Sequence, residues 1–150
     1  MLSPVERVLI LRSAELFHGT PDAILAEVAD LAEEVHLYAG QTVIRKGDTG
    51  DSMYLIASGE LRVHDGDHTI NFVHHPEIFG EMALLDAQPR MASITATTES
   101  VLLRLDQEPF FELLDDRSEV ARGIIRTLSR RLRDTVAGKS AAPQPEQQVG

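Results

Sequence analysis

The pattern of apolar and polar residues predicts two helices at the start of the chain. Ser3-Pro4-Val5-Glu6 supplies a capping serine, a proline at the first helical position and a glutamate three residues after the cap. We expect this helix to run to about Ser13. A second helix is predicted to begin at Thr20-Pro21-Asp22, because apolar residues then recur at helical spacing. They form one stripe of Ile24, Leu25, Val28, Leu31 and Ala32.

From Val35 onward the pattern has the period of strands. Val35 and Leu37 alternate with polar neighbours, and short apolar runs then follow one another between recurring glycines. Asp65-Gly66-Asp67, between two such runs, predicts a hairpin turn. Many short strands separated by glycine turns are typical of a small antiparallel roll or barrel.

Helical spacing returns after the strands. A helix is predicted from Gln107 to Leu114 with Asp106 as its cap, and a longer one begins at Ser118. The longer helix carries an apolar residue at every fourth position, namely Val120, Ile124, Leu128, Leu132 and Val136.

This order of elements predicts one α+β domain over residues 1–137. We expect an antiparallel, jelly-roll-like β-roll flanked by N-terminal helices and two C-terminal helices, with a short helix inserted in the roll. The N-terminal helices take residues 1–33, the roll 34–106 and the C-terminal helices 107–137. Residues 138–150 are small, polar and proline-rich, which predicts a disordered tail.

Composition and charge narrow the function classes. The chain has 150 residues, 43% of them hydrophobic, which suits one packed core. It has no cysteine, which excludes a disulfide scaffold, a thiolate zinc site and a cysteine nucleophile, and fits a cytoplasmic protein. The net charge of -10 disfavours broad binding of nucleic acid. Neither a signal peptide nor an apolar run of about 20 residues is present, so we expect no direct membrane insertion.

The stretch FGEMALLDAQPRMAS, residues 79–93, interrupts the strand pattern. Gly80 allows a close backbone approach, and Glu81–Leu85 predicts a short helix whose first N–H groups lack acceptors. Arg90 presents a planar pair of donors suited to phosphate, and the Glu81 carboxylate suits sugar hydroxyls. These residues together predict a nucleotide site. By themselves they also leave open an ordinary ion pair between Glu81 and Arg90.

The same stretch resembles the phosphate-binding cassette of cyclic nucleotide-binding domains. That family includes bacterial catabolite activators, regulatory subunits of cAMP-dependent kinase and cyclic-nucleotide-gated channels. The cassette pattern is matched by Phe79-Gly80-Glu81-Met82-Ala83-Leu84-Leu85 and Pro89-Arg90-Met91-Ala92-Ser93. The stretch AGQTVIRKGDTGDSMYLIASGELRV, Ala39–Val63, resembles the glycine-punctuated strands that precede it, and the resemblance covers about residues 14–136.

The resemblance implies a non-enzymatic sensor whose last helix closes over a bound cyclic nucleotide. Glu81 would accept from the ribose 2′-hydroxyl, and Arg90 would pair with the cyclic phosphate. Arg131 and Thr135 would contact the base from the last helix, with Arg130 as the runner-up. The ligand-binding residues expected in this way are Gly80, Glu81, Met82, Ala83, Arg90, Met91, Ala92, Ser93, Arg131 and Thr135. No catalytic residue, metal site or resident cofactor is expected.

Two positions depart from the family pattern. Met91 stands where Ser, Thr or Ala is frequent, and its side chain has no useful donor, which favours cAMP over cGMP as the ligand. His74-His75-Pro76-Glu77 replaces a Gly-Asp type of turn, and we interpret it as a surface turn.

Other functions stay open at this point. One is a degenerate domain that binds no cyclic nucleotide, or a different one such as cGMP or a cyclic dinucleotide, and acts as an interaction module. A cupin-like metal enzyme is less favoured, because the six histidines include no His-x-His pair. The chain ends soon after its last predicted helix, so we expect a protein partner or a fused effector domain to carry the output. The apolar stripe on that helix also allows a homodimer.

Overall fold

The elements of the fold follow the predicted order of helices, strands and helices. The computed structural model describes residues 1–138. Its helices are α1 (Pro4–Ser13), α2 (Asp22–Leu31), α3 (Glu81–Leu85), α4 (Gln107–Asp116) and α5 (Ser118–Val136), with a 3₁₀ turn at Glu15–Phe17. Its strands are β1 (Glu33–Leu37), β2 (Thr42–Ile44), β3 (Thr49–Gly50), β4 (Ser52–Ser58), β5 (Glu60–Asp65), β6 (His68–His74), β7 (Ile78–Phe79), β8 (Gln88–Pro89), β9 (Ser93–Ala96) and β10 (Ser100–Asp106). Apart from Gly138, the predicted tail lies outside the described residues.

The strands form two antiparallel four-stranded sheets and a small two-stranded one. The strand orders are β1-β10-β4-β7 and β2-β9-β5-β6, and β3 pairs with β8. The predicted hairpin joins β5 to β6, where Asp65 pairs with His68 and Gly66 has a φ of 57°. The predicted α+β fold with an antiparallel β-roll is therefore confirmed.

Local capping fixes the start of the chain. The Ser3 hydroxyl accepts from the Glu6 N–H at 3.1 Å, and the Glu6 carboxylate accepts from the Ser3 N–H at 3.0 Å. This is the reciprocal capping box that the sequence predicts. The 3₁₀ turn after α1, which the sequence pattern did not predict, buries Leu16 and Phe17.

Strand β4 separates two hydrophobic cores, which explains why it is a continuous apolar run. Alternate residues of a strand point to opposite faces. Met53 and Leu55 accordingly belong to the core beneath the helices, whereas Tyr54 and Ile56 belong to the interior of the roll. Tyr54 also stacks on Phe79 of β7, with ring centroids 5.0 Å apart.

The helical core joins the two ends of the described chain. Phe17 of the 3₁₀ turn meets Phe110 of α4 edge to face, with ring centroids 6.2 Å apart. The same cluster contains Leu11 from α1, Leu25 from α2 and Ile124 from α5. The N-terminal and C-terminal helices therefore form one layer that packs on one sheet of the roll.

The apolar row predicted on α5 is buried only in its first half. Val120 and Ile124 are buried and Leu128 is partly buried, whereas Leu132 and Val136 are 66% and 81% exposed. A spacing of four residues advances about 40° beyond a full helical turn at each step, so the row rotates away from the core. Within residues 1–138, no helix is both long enough and apolar enough to cross a membrane.

The predicted capping role of Asp106 is wrong in one respect. Asp106 occupies the N-cap position of α4, but its side chain makes no capping hydrogen bond. Its carboxylate instead accepts from the Ser52 hydroxyl at 2.6 Å and pairs with Arg104 Nε at 3.2 Å. The Ser52 hydroxyl across the strand pair and the Arg104 guanidinium on the same strand take this acceptor in place of the helix N–H groups.

Candidate functional site

Gly80 shapes the entry into α3. It connects β7 to α3 with a φ of 82°, a left-handed conformation that favours glycine. A Cβ atom at this position would also lie 2.7 Å from the Ser52 carbonyl oxygen. Gly80 is the N-cap of α3, and it has no side chain that accepts from the first N–H groups of that helix.

Glu81 is fully buried with half of its carboxylate unpaired. Its exposure is 0%, and its Oε1 accepts from Nη1 of Arg131 on α5. Its Oε2 has no hydrogen-bond partner among the residues that the structure describes. A buried carboxylate oxygen without a donor is costly, since it has lost its hydration. Oε2 is therefore an acceptor suited to a donor group from outside the chain.

Arg131 ties the last helix to the site. Besides its contact with Glu81, its Nε donates to Glu15 Oε1 at 3.3 Å, and its side chain is 17% exposed. One guanidinium therefore bridges α3 and the 3₁₀ turn from α5. Glu81 is thus one of the groups that hold α5 against the rest of the domain.

The backbone of Arg90 is fixed on both sides by the loop that leads into β3. The Arg90 N–H donates to the Asp48 carbonyl at 2.8 Å, and the Arg90 carbonyl accepts from the Gly47 N–H at 2.8 Å. The side chain then reaches inward, where its Nη2 donates to the Ser52 carbonyl at 2.8 Å. Its Nη1 is buried and has no hydrogen-bond partner among residues 1–138.

The electrostatic environment of Arg90 is that of a buried cation. Arg90 is 5% exposed. Burial lowers the pKa of its guanidinium, and Tyr54 and Asp51 oppose that effect. An arginine pKa begins so high that the group stays charged, so Nη1 is a cationic donor without an acceptor. Beside it is a cavity of about 230 Å³, lined by Val43, Ile44, Arg45, Asp48, Thr49, Gly50, Asp51, Ser52, Tyr54 and Arg90.

The two candidate groups each have a partner other than each other. A Cβ atom on Gly80, the residue before Glu81, would lie 2.9 Å from Arg90 Nη1. Glu81 pairs with Arg131, and Arg90 binds the Ser52 carbonyl. Among the described residues there is thus no ion pair between Glu81 and Arg90, the alternative that the sequence left open. Glu81 Oε2 and Arg90 Nη1 remain as an acceptor and a cationic donor without partners among residues 1–138.

The remaining predicted residues of the cassette differ in exposure. Ala83 and Ala92 are fully buried, whereas Met82 and Met91 are 45% and 61% exposed. The Ser93 hydroxyl accepts from the Lys46 N–H at 3.0 Å. The alanines thus permit close packing, and the Met91 thioether faces outward.

On α5, the predicted lid residues occupy different positions. Arg131 contacts Glu81, as described, whereas Thr135 is exposed and its hydroxyl donates to the Arg131 carbonyl at 2.9 Å. Arg130, the runner-up, is exposed. Glu15, which sequence reasoning missed, lies on a 3₁₀ turn far away in sequence, and nothing in the local pattern marks it as a partner of Arg131.

Two further features of the site escaped the sequence analysis. Ser52 contributes only its carbonyl, which gives no residue-specific signal, and Gly50 contributes the absence of a side chain next to Arg90. In the sequence, Gly50 is marked only by its place in the stretch GDTGDS, residues 47–52, where glycines recur. In the described part of the chain, no group of three or more His, Cys, Asp or Glu residues is placed to hold a metal ion.

The chain is similar in sequence and in fold to known proteins. A family model described as "Cyclic nucleotide-binding domain" matches residues 34–117. A CRP-like cAMP-activated global transcriptional regulator of Mycobacterium tuberculosis is 31% identical over 131 residues, covering 84% of this chain and 58% of the relative. The chain therefore spans well under two thirds of that relative's length.

Solved structures share the fold. The N-terminal domain of a transcriptional regulator from Streptomyces coelicolor A3(2) has a TM-score of 0.81 and 34% identity, covering 89% of this chain and 96% of that one. The regulatory domain of Toxoplasma gondii PKA, solved with cAMP, has a TM-score of 0.68 and 30% identity, covering 76% of this chain and 45% of that one.

Proposed function

Given that this chain belongs to the cyclic nucleotide-binding domain family, we propose that it is a non-enzymatic sensor that binds cAMP. One observation carries the proposal. Two buried polar atoms of opposite character, Glu81 Oε2 and Arg90 Nη1, lack partners among the described residues. An unpaired acceptor and an unpaired cationic donor in one cassette suit a ligand that carries both a hydroxyl and a phosphate.

In this proposal each of the two unpartnered atoms, Glu81 Oε2 and Arg90 Nη1, binds a different part of the ligand. Glu81 Oε2 accepts from the ribose 2′-hydroxyl, because a carboxylate suits a hydroxyl and repels a phosphate. Arg90 Nη1 donates to an oxygen of the cyclic phosphodiester, and this charge-assisted hydrogen bond satisfies the buried cation. The backbone around Gly80, Met82, Ala83 and Ala92 would lie at the phosphate end, where a glycine and two small buried alanines permit a close approach.

Two considerations favour cAMP as the ligand. One relative that covers 84% of this chain is described as cAMP-activated, and a solved structure that covers 76% of it was solved with cAMP. Met91 also has no donor or acceptor strong enough to recognise the guanine amino group. The domain is therefore proposed to disfavour guanine relative to adenine because residue 91 offers no hydrogen-bonding group to the guanine amino group.

The proposed output runs through α5. Glu81 would hold both the ribose and Arg131, so ligand binding and the anchoring of α5 share one carboxylate. Thr135, one turn further along, comes over the base when α5 closes. The ligand regulates only as far as it binds the closed state more tightly than the open one. A protein partner or a fused effector domain is proposed to sense this change.

Isothermal titration calorimetry with cAMP, cGMP and a cyclic dinucleotide tests the proposal. We expect cAMP to bind most tightly, and Arg90→Ala to lose about 2–5 kcal/mol of binding free energy, because a desolvated phosphate charge is left unpaired. Arg62→Ala is the matched control, since Arg62 donates to Thr69 on the exposed face of β5 and β6. Unchanged cAMP affinity in Arg90→Ala would refute the site. Absence of binding by all three nucleotides in the wild type would favour a degenerate interaction module.

A further inference from the structure

Gly50, at the end of β3, is a glycine that backbone conformation does not explain. Most glycines of the roll have a positive φ, as Gly47 and Gly59 do. Gly50 is not among them, so other residues are able to adopt its backbone conformation. The reason for a glycine at this position must lie in its surroundings.

The Arg90 guanidinium fills the space that a side chain at position 50 would take. A Cβ atom on Gly50 would lie 2.1 Å from Arg90 Nε and 2.4 Å from both Cζ and Nη2. Gly80 bounds the same guanidinium on another side, where a Cβ would lie 2.9 Å from Nη1. The guanidinium is thus seated against two glycines, with its Nη2 on the Ser52 carbonyl.

We infer that Gly50 is a positioning residue for the phosphate-binding arginine. The absence of its side chain allows the Arg90 guanidinium to reach the Ser52 carbonyl, and this contact leaves Nη1 free for the ligand. The inference rests on the proposed role of Arg90 as the phosphate donor. It adds the residue that sets where that donor lies.

The backbone hydrogen bonds around Arg90 determine what yields when a side chain is added. Both backbone groups of Arg90 are bonded to the loop at Gly47 and Asp48, so its main chain is fixed. The guanidinium is the far end of a flexible side chain, and it moves more easily than the backbone. Since non-bonded heavy atoms rest about 3.5–4.0 Å apart, a Cβ on Gly50 displaces it by more than about 1 Å. The fold survives this shift, whereas a directional hydrogen bond does not.

Gly50→Ala and Gly50→Val, made in the full chain, test the inference. We expect cAMP affinity to fall about 10- to 100-fold in Gly50→Ala and further in Gly50→Val, because the donor is misplaced. The thermal midpoint of the ligand-free protein should change little. Gly123→Ala is the matched control, since a Cβ there has its nearest neighbour, Arg126 Nη2, at 3.9 Å and affinity should stay at the wild-type value.

Two further measurements separate this inference from the proposed function. In ligand-free protein, the NMR signal of the Arg90 Nε–H, assigned by its loss in Arg90→Lys, should shift in Gly50→Ala but not in Gly123→Ala. In an Arg90→Lys background, which lacks the guanidinium, adding Gly50→Ala should change cAMP affinity less than about twofold. An unchanged Nε–H signal, or an equal loss of affinity in both backgrounds, overturns the role of Gly50. A shifted signal in a protein that binds no cyclic nucleotide supports the positioning role and refutes the proposed ligand.

Discussion

The ion pair between Glu81 and Arg131 is expected to stabilise the fold even without ligand. Arg131→Met removes the guanidinium and keeps much of the apolar stem, so packing changes little. Glu81, at 0% exposure, then loses the donor to its Oε1. Breaking a buried pair by removing one partner costs about 3–5 kcal/mol. The Arg131 side chain is 17% exposed, so solvent retains part of the interaction and we expect a loss of about 2–3 kcal/mol.

Equilibrium unfolding in urea measures this loss on the ligand-free protein. In thermal unfolding of Arg131→Met, the midpoint should fall by roughly 2–4 °C for each kcal/mol of unfolding free energy lost at this chain length. A double variant, Glu81→Gln with Arg131→Met, removes both charges and should regain stability relative to Arg131→Met alone. Arg130→Met, an exposed neighbour on the same helix, is the control and should stay within about 0.5 kcal/mol of the wild type. If the effects of the two substitutions add within about 0.5 kcal/mol, the pair does not anchor α5 and the reasoning fails.

Two other parts of the structure give predictions of their own. Glu34 accepts from the Leu2 N–H at 2.7 Å and contacts His36, which lowers its pKa below the ordinary 4.5 despite some burial. The stabilisation by the Glu34 carboxylate is complete above a pH of about 4.5 and is lost as the pH falls through its lowered pKa. Urea unfolding at a series of pH values should therefore show a smaller loss of unfolding free energy for Glu34→Gln than for the wild type between about pH 6 and pH 3. Parallel curves for the two proteins would contradict this. Phe110→Ala should cost about 3–5 kcal/mol, because it leaves a cavity against Phe17, whereas a loss below about 1 kcal/mol in the same assay would show that the helical layer closes over the gap.

Features with local causes could be predicted from the sequence. The capping box at Ser3 and Glu6 needs only residues three apart, and the hairpin at Gly66 needs only a turn between two apolar runs. The helix Glu81–Leu85 followed from Gly80 and a short apolar run, and the structure has those bounds. In each case the physical cause lies within a few residues of its effect.

Features that depend on distant residues could not be predicted. Arg131 and Glu15 are 116 positions apart, and no local pattern joins them. The Ser52 carbonyl that holds Arg90 is a backbone group. Every residue type has such a carbonyl, so the identity of residue 52 does not reveal this contact. Leu132 is exposed because the core ends before it along α5. The periodicity of a single helix does not show where the core ends.

The single layer made by the first and last helices has a consequence for how the protein is made. Arg117 after α4 pairs with Glu27 of α2 across 90 positions, and Leu11, Leu25, Phe110 and Ile124 share one core. On the ribosome, α1 and α2 emerge long before the helices that cover them have been synthesised. Contacts of such high sequence separation form late and slowly. Part of the apolar surface of α1 and α2 therefore stays uncovered until α4 and α5 have been made, which leaves it open to chaperones or to aggregation during that time.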